Sequence, residues 1–331
     1  MNSTHLKTAG LLLLKIAGTT LFLWWAFSQI EDKQLLYENF QRAIKSPFWV
    51  TTGIGFAFLS IFTSALRWYF LLRAQSINES FLYILRLTLY GTFFNIASIG
   101  GAAGDAAKIV LLIRRFPEKK IPITVSVMID HLIGFLSSSI IFLSFTWIFG
   151  AIEFATDATG RNTFIAATWF QAGALFVVLS SLFSCSPTMM NFGRKYLPLI
   201  TKNRWVDSIT AAIDLYRTGW KHALAALFVS FILSATFYLT FYAGIRSLGQ
   251  EIQATTIMAV MPLVDVVTAL PISISGLGVR ERTFDFLLGK LTGIPTASAI
   301  AGSLIGFLFT LFWGLIGGLA IITSRSGKAD E

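Results

Sequence analysis

Arg280, Glu281, Arg282 and Asp285 stand inside residues 271–291, PISISGLGVRERTFDFLLGKL, a stretch that is otherwise almost continuously apolar. Residues 94–115, FNIASIGGAAGDAAKIVLLIRR, have the same design: a hydrophobic run breaks at Gly100, Gly101 and Gly104 around Asp105, then resumes through Lys108. Each reads as a membrane helix interrupted by small residues and charge. Ionisable groups at a transmembrane helix centre cost roughly 2.5 to 3.5 kcal/mol each on insertion scales, so they usually mark a function. The chemistry these residues suit is anion binding. A helix starting after Gly104, and another after Gly276 and Gly278, would turn backbone N–H groups and a positive dipole end inward. Arg280, Arg282 and Lys108 add fixed positive charge, and the planar arginine fork matches phosphate oxygens.

Other roles are open to the same residues. Asp105 and Glu281 lie in first helical turns, where a carboxylate caps the helix without any ligand. Arg280 can form a structural pair with Glu281 or Asp265, and Lys15, Arg67 and Arg86 can snorkel to an interface. Asp130 and His131 are sequence neighbours, so on a helix they point about 100° apart and make no ready acid–base pair. The GxG within SGLGVRE lacks the preceding strand of a dinucleotide fold.

The elements that must position these residues are membrane helices. The 331 residues are 55% hydrophobic and 13% charged, with several long apolar runs, which indicates an all-α polytopic membrane protein. The single cysteine, Cys185, excludes an internal disulfide and a cysteine-built metal cluster; no cofactor or metal motif is visible. The net charge of +9 fits basic loops facing anionic lipid better than nucleic acid.

Six full spans are expected, at about 10–29, 47–72, 124–148, 164–184, 222–248 and 295–323, with two re-entrant broken-helix hairpins at 80–113 and 252–291. The first span follows Lys7 but is interrupted by Lys15 and has no cleavage site, so it reads as a retained helix. Residues 187–221 form a polar loop whose RWVDSITAAIDLYRTGW has helical apolar spacing suited to the membrane surface.

With a cytoplasmic N-terminus, only Lys33, Arg42, Lys45, Arg161, Arg246 and Lys290 fall outside the membrane on the far side, and Lys15, Arg67, Arg86, Lys108, Arg280 and Arg282 lie at membrane depth. The other lysines and arginines are cytoplasmic, which places both termini there. Trp24, Trp25, Trp49, Trp147 and Trp169 then form an outer aromatic belt. Residues 6–150 and 163–323 run in opposite senses, as two inverted repeats of one domain, an architecture of secondary transporters.

ALRWYFLLRA, FFNIASIGGAAGDAAKIVLL, SVMIDHLIGF and PISISGLGVRERTF, in this order and spacing, resemble the membrane region of the lysylphosphatidylglycerol synthase family, the flippase-like integral membrane proteins. The resemblance covers about residues 7–322. It implies an inner-membrane lipid translocase or related lipid-carrier protein, and it places Asn95, Gly100, Gly101, Gly104, Asp105, Asp130, Pro271, Gly276, Gly278, Arg280 and Glu281 on motif positions. The expectation is of the membrane domain alone, without a synthase domain, so aminoacyl transfer is not implied. Paired asparagines common in the family are replaced by Asn95 and Ile96, and an arginine after the aspartate by His131.

The expected function is movement of an anionic or zwitterionic, phosphate-bearing lipid between leaflets. Arg280, with Arg282 or Lys108, would hold the headgroup beside Asn95, Gly101, Gly104, Gly276 and Gly278. A carboxyl at membrane depth can change protonation during transport, so Asp130, Asp265 or Glu281 is a candidate for a coupling proton; Asp105 and His131 belong with them as ion-pair or proton-coupling residues. Two alternatives differ in class: an intramembrane enzyme acting on a lipid-linked phosphate, with Asp130 and His131 as its only visible catalytic candidates, and an accessory subunit of a lipid-linked glycan or lipid-modifying pathway. The expected partners are a membrane lipid, with a second copy in a homodimer or a lipid-modifying enzyme. No nucleotide-binding motif suggests direct ATP drive.

Overall fold

The computed structural model describes residues 20–21, 24–28, 30, 32–97, 102–184, 204–270 and 272–326. Most of the expected first span, with Lys15, lies outside the described residues, as do Gly100, Gly101, Pro271, Cys185 and residues 187–203 of the polar loop. Eleven α-helices follow one another among the described residues after position 32: α1 Lys33–Ile44, α2 Pro47–Ala74, α3 Phe81–Ala97, α4 Ala103–Arg115, α5 Lys120–Leu143, α6 Ala158–Ser184, α7 Arg204–Thr218, α8 Trp220–Ser247, α9 Ala254–Thr268, α10 Val279–Thr292 and α11 Thr296–Ser326.

Among the described residues, five segments are long and apolar enough to cross a membrane: Pro47–Ala74, Pro117–Ile148, Ala158–Ser180, Trp220–Ser247 and Thr296–Thr323. They match the five later expected spans, and the chain is an all-α, multi-pass membrane protein. At 1.5 Å per residue, a 28-residue helix such as α2 reaches about 42 Å, more than the hydrocarbon core of about 30 Å. By contrast α3, α4, α9 and α10 have 17, 13, 15 and 14 residues, and α3 packs on α4 as α9 packs on α10.

Helix ends follow local chemistry. Asp32 accepts the Leu35 N–H at 2.8 Å to start α1, Pro47 opens α2 at a position where no N–H is needed, and Gly293, at φ 64°, ends α10 in the left-handed region. Small residues let the long helices approach. In the Gly302-x-x-x-Gly306 pattern of α11, a Cβ on Gly302 would sit 2.1 Å from Ile245 and one on Gly306 2.7 Å from Phe241, both on α8.

The largest buried cluster joins Phe142, Phe164, Tyr238, Phe241, Phe284 and Leu288; a second, around Trp68, Leu72, Ile84, Leu87 and Leu112, seats α3 and α4 on α2. On α6, Trp169 and Phe176 remain 75% and 71% exposed, as an apolar helix at the lipid-facing edge of a bundle would. The surface helix expected around RWVDSITAAIDLYRTGW is α7. It is anchored to the bundle, because Ala212 is buried and its carbonyl accepts from Gln75 Nε2 at 2.8 Å.

Candidate functional site

The second interruption meets the end of α3. Between α9 and α10 the backbone curls through Ser275, Gly276 and Gly278 at φ 52°, 73° and 81°, a left-handed path that glycine follows at little cost. The curl carries Ser275 to the end of α3, where its hydroxyl donates to the carbonyls of Asn95 at 2.9 Å and Ile96 at 3.3 Å. Asn95 Oδ1 in turn accepts the Gly104 N–H at 2.7 Å, so one residue caps α4 and receives the second break. Gly104 fits because a Cβ there would lie 2.1 Å from the Gly91 carbonyl oxygen. At the start of α10, Gly278 N–H donates to Glu281 Oε2 at 2.6 Å. Of the first-turn N–H groups expected to face a ligand, the Gly104 N–H is thus taken by Asn95 and the Gly278 N–H by Glu281.

Beside this junction lies a cavity of about 510 Å³, lined among others by Asn95, His131, Asp265, Ser275, Arg280 and Thr310. Arg280 Nε and Nη2 both donate to Glu281 Oε1, at 3.1 and 2.8 Å, and the guanidinium carbon lies 4.4 Å from the Phe307 ring centre. Glu281 is fully buried and also accepts from Ser303 at 3.3 Å. Of the two pairs open to Arg280 in the sequence, the one with Glu281 forms. Its Nη1 has no hydrogen-bond partner among the described residues, which leaves that amino group, with two N–H donors, for the cavity.

The other expected cations sit elsewhere. Lys108 is buried, paired with Asp105 Oδ1 at 2.6 Å and 5.1 Å from the Trp68 ring centre. Arg282 pairs with Asp285 and lies over the Trp25 ring at 5.1 Å, in a separate pocket with Val267, Ile272 and Phe286. Neither is among the residues lining the Arg280 cavity: positions two apart on α10 face different sides, and Lys108 is held by its own i−3 carboxylate.

Arg67 does not snorkel. It is buried and grips Asp130 with two bonds, Nε to Oδ1 at 2.6 Å and Nη2 to Oδ2 at 2.8 Å, while Nη1 donates to Ser230 at 2.9 Å. A charge this deep is held by a bidentate partner in place of water. Asp130 is thus an ion-pair residue, and its neighbour His131 points away to Asp105 Oδ2 at 2.8 Å.

A second cavity, of about 340 Å³, adjoins the first; His131, Phe237, Asp265 and Ala269 line both. Its wall is polar in a regular way. Tyr238 interacts with Asp265 and shares a 2.8 Å hydrogen bond with Ser138, and Ser137 contacts Ser230 at 2.8 Å and Ser234 at 3.2 Å. Asp265 has no ion-pair partner among the described residues. Ser230, Ser234 and Tyr238 are not among the expected site residues, although their i, i+4, i+8 spacing on an apolar helix is the signal of a polar stripe. Among the described residues no three His, Cys, Asp or Glu side chains gather as a metal site.

A family model described as "Lysylphosphatidylglycerol synthase TM region" matches residues 11–318. No curated protein and no solved structure matches the chain.

Proposed function

The chain belongs to the lysylphosphatidylglycerol synthase TM region family, and from that premise we propose that it moves a phosphate-bearing lipid between the leaflets of the inner membrane. The lipid-related family supports a lipid-handling membrane protein. The observation that carries the reading is Arg280: its Nη1 has no partner among the described residues and it stands on the wall of the cavity where the two breaks are joined by Ser275 and Asn95. Arginine there offers a fixed charge to a phosphate while the tails stay in lipid.

Alternating access fits the order of elements. A long helix, a short pair and a long helix, α2, α3–α4, α5, is followed by the same series in α8, α9–α10, α11. The short helices span only about 20 to 26 Å each, which supports two re-entrant hairpins within inverted repeats. The basic-residue count favours cytoplasmic termini.

Two measurements test the proposal. Lipids co-purified with the wild type should be enriched in one phosphate-bearing class, and Arg280→Gln should lose that enrichment in mass spectrometry. The enriched lipid should then exchange between leaflets of reconstituted vesicles with the wild type and at the protein-free rate with Arg280→Gln. Equal, unselected lipid in both proteins would make Arg280 a structural partner of Glu281.

A second reading has one observation in its favour. The Asp105–His131 pair orients an imidazole into the Arg280 cavity, a geometry that a phosphate-transferring or hydrolysing enzyme uses. It predicts a chemically altered lipid after incubation with the protein, and transport predicts an unaltered one.

A further inference from the structure

The groups lining the two cavities, with their direct ion-pair partners, do not balance in charge. Arg67 and Asp130 cancel as a bidentate pair. Arg280 is matched by Glu281 and Lys108 by Asp105. Asp265 remains, on the wall shared by both cavities, with no cation of its own among the described residues. With Asp265 ionised and His131 neutral, the empty site carries one negative charge too many. A phosphate arriving at Arg280 would add another among buried groups, where like charges raise each other's cost and an unpaired ion is hard to keep.

We propose that the cavity takes up its anionic headgroup together with a proton, and that the proton is held on Asp265. The inference rests on the phosphate site proposed above and goes beyond it in assigning the co-substrate. Binding adds H⁺ from bulk solvent to the Asp265 carboxylate: one O–H bond forms on Asp265 as one breaks on hydronium or buffer acid outside the site, and the net charge of the loaded site equals that of the empty one. The surroundings suit both states of the carboxyl. Ionised, Asp265 accepts from the Tyr238 hydroxyl, whose own second contact is Ser138 at 2.8 Å. Neutral, it donates to Tyr238 or to a phosphate oxygen while Tyr238 turns its proton to Ser138. The titratable or charged groups facing Asp265 are Tyr238 from α8, His131 from α5, Arg280 from α10 and, across the second cavity, Arg67 from α2. Arg280 and Arg67 are held in ion pairs with Glu281 and Asp130, and Lys108 and His131 share Asp105, so among the described residues Asp265 is the lining carboxylate without a cation at ion-pair distance.

The test is proton counting on the purified, detergent-solubilised full chain with a short-chain phosphatidylglycerol as probe. Titration calorimetry in two buffers of different ionisation enthalpy should give an uptake of about one proton per probe bound, and affinity should fall about tenfold per pH unit on the alkaline side of the transition, as one linked proton requires. Asp265→Asn, permanently neutral, should bind without proton uptake and with no pH slope, so that it exceeds the wild type in affinity at alkaline pH. His131→Gln should keep both the uptake and the slope.

Uptake retained in Asp265→Asn, or lost only in His131→Gln, overturns the assignment to Asp265. Wild-type binding without any proton overturns the coupling and leaves the phosphate site standing, provided Arg280→Gln abolishes that binding. No wild-type binding at any pH removes both.

Discussion

The Ser275 hydroxyl donates to the main-chain carbonyl of Asn95 over 2.9 Å, and this bond joins chain breaks 180 residues apart. Because Asn95 also caps α4 through its side chain, the position of the second break is read directly by the first.

Removing that bond should be measurable. Ser275→Ala leaves the Asn95 carbonyl with one partner fewer in a part-buried place, so a loss of about 1 kcal/mol is expected. Thermal unfolding in detergent, with Thr51→Ala on the exposed face of α2 as reference, should show a lower midpoint for Ser275→Ala alone.

Gly104 should tolerate no side chain. Its Cβ would stand 2.1 Å from the Gly91 carbonyl oxygen and 2.7 Å from Asn95, so Gly104→Ala must part α3 from α4 at a point held by backbone on one side. Gly173, with no atom within 4 Å of a built Cβ, is the matched control. Gly104→Ala is expected to give little folded protein by size-exclusion chromatography, and Gly173→Ala a yield like the wild type.

The parts of the fold that announce themselves in the sequence are those set by local pattern. The spans at 47–72 and 222–248 return as α2 and α8 with ends shifted by three residues or fewer, because a long apolar run has one stable form in lipid. The restarts near Gly104 and Gly278, at Ala103 and Val279, are equally visible, since glycine beside charge interrupts such a run. Partner choice was not. Arg67 meets Asp130 across 63 positions and Ser230 across 163, and no local rule selects those over solvent or lipid headgroups. Arg280 and Arg282 looked alike in sequence, yet two residues on a helix differ by about 200°, and that rotation sends one to the cavity and the other to Trp25.

Outside the membrane-spanning segments, Asp157 supplies a pH handle. Its carboxyl is held below the ordinary 3.8 chiefly by the Gly160 N–H at 2.5 Å and next by Lys290 Nζ at 3.1 Å. A lowered folded-state value means that the contribution is complete above the unfolded value and fades as pH falls through the folded one. Asp157→Asn should therefore unfold at a lower temperature than the wild type at neutral pH, and the gap should close on acidification below 3.8. High salt should narrow the gap only in part, because screening weakens the Lys290 contact more than the Gly160 hydrogen bond.

The Arg67–Asp130 pair sets a different test, one that separates holding the bundle together from serving the ligand. Both residues are buried, and Arg67 spends all three nitrogens on Asp130 and Ser230, so that α2, α5 and α8 share one node. Arg67→Ala leaves Asp130 charged and unpaired and should cost about 3 to 5 kcal/mol; replacing both at once with apolar residues, Arg67→Met with Asp130→Leu, should recover most of that loss because no lone charge remains. Thermal unfolding of the three variants gives the comparison. A coupling role for Asp130 makes the opposite demand on function: the double variant would be stable and yet fail in the leaflet-exchange assay. With the pair as a structural node and Asp265 as the proton carrier, the double variant should be both folded and active, while Arg67→Ala is neither.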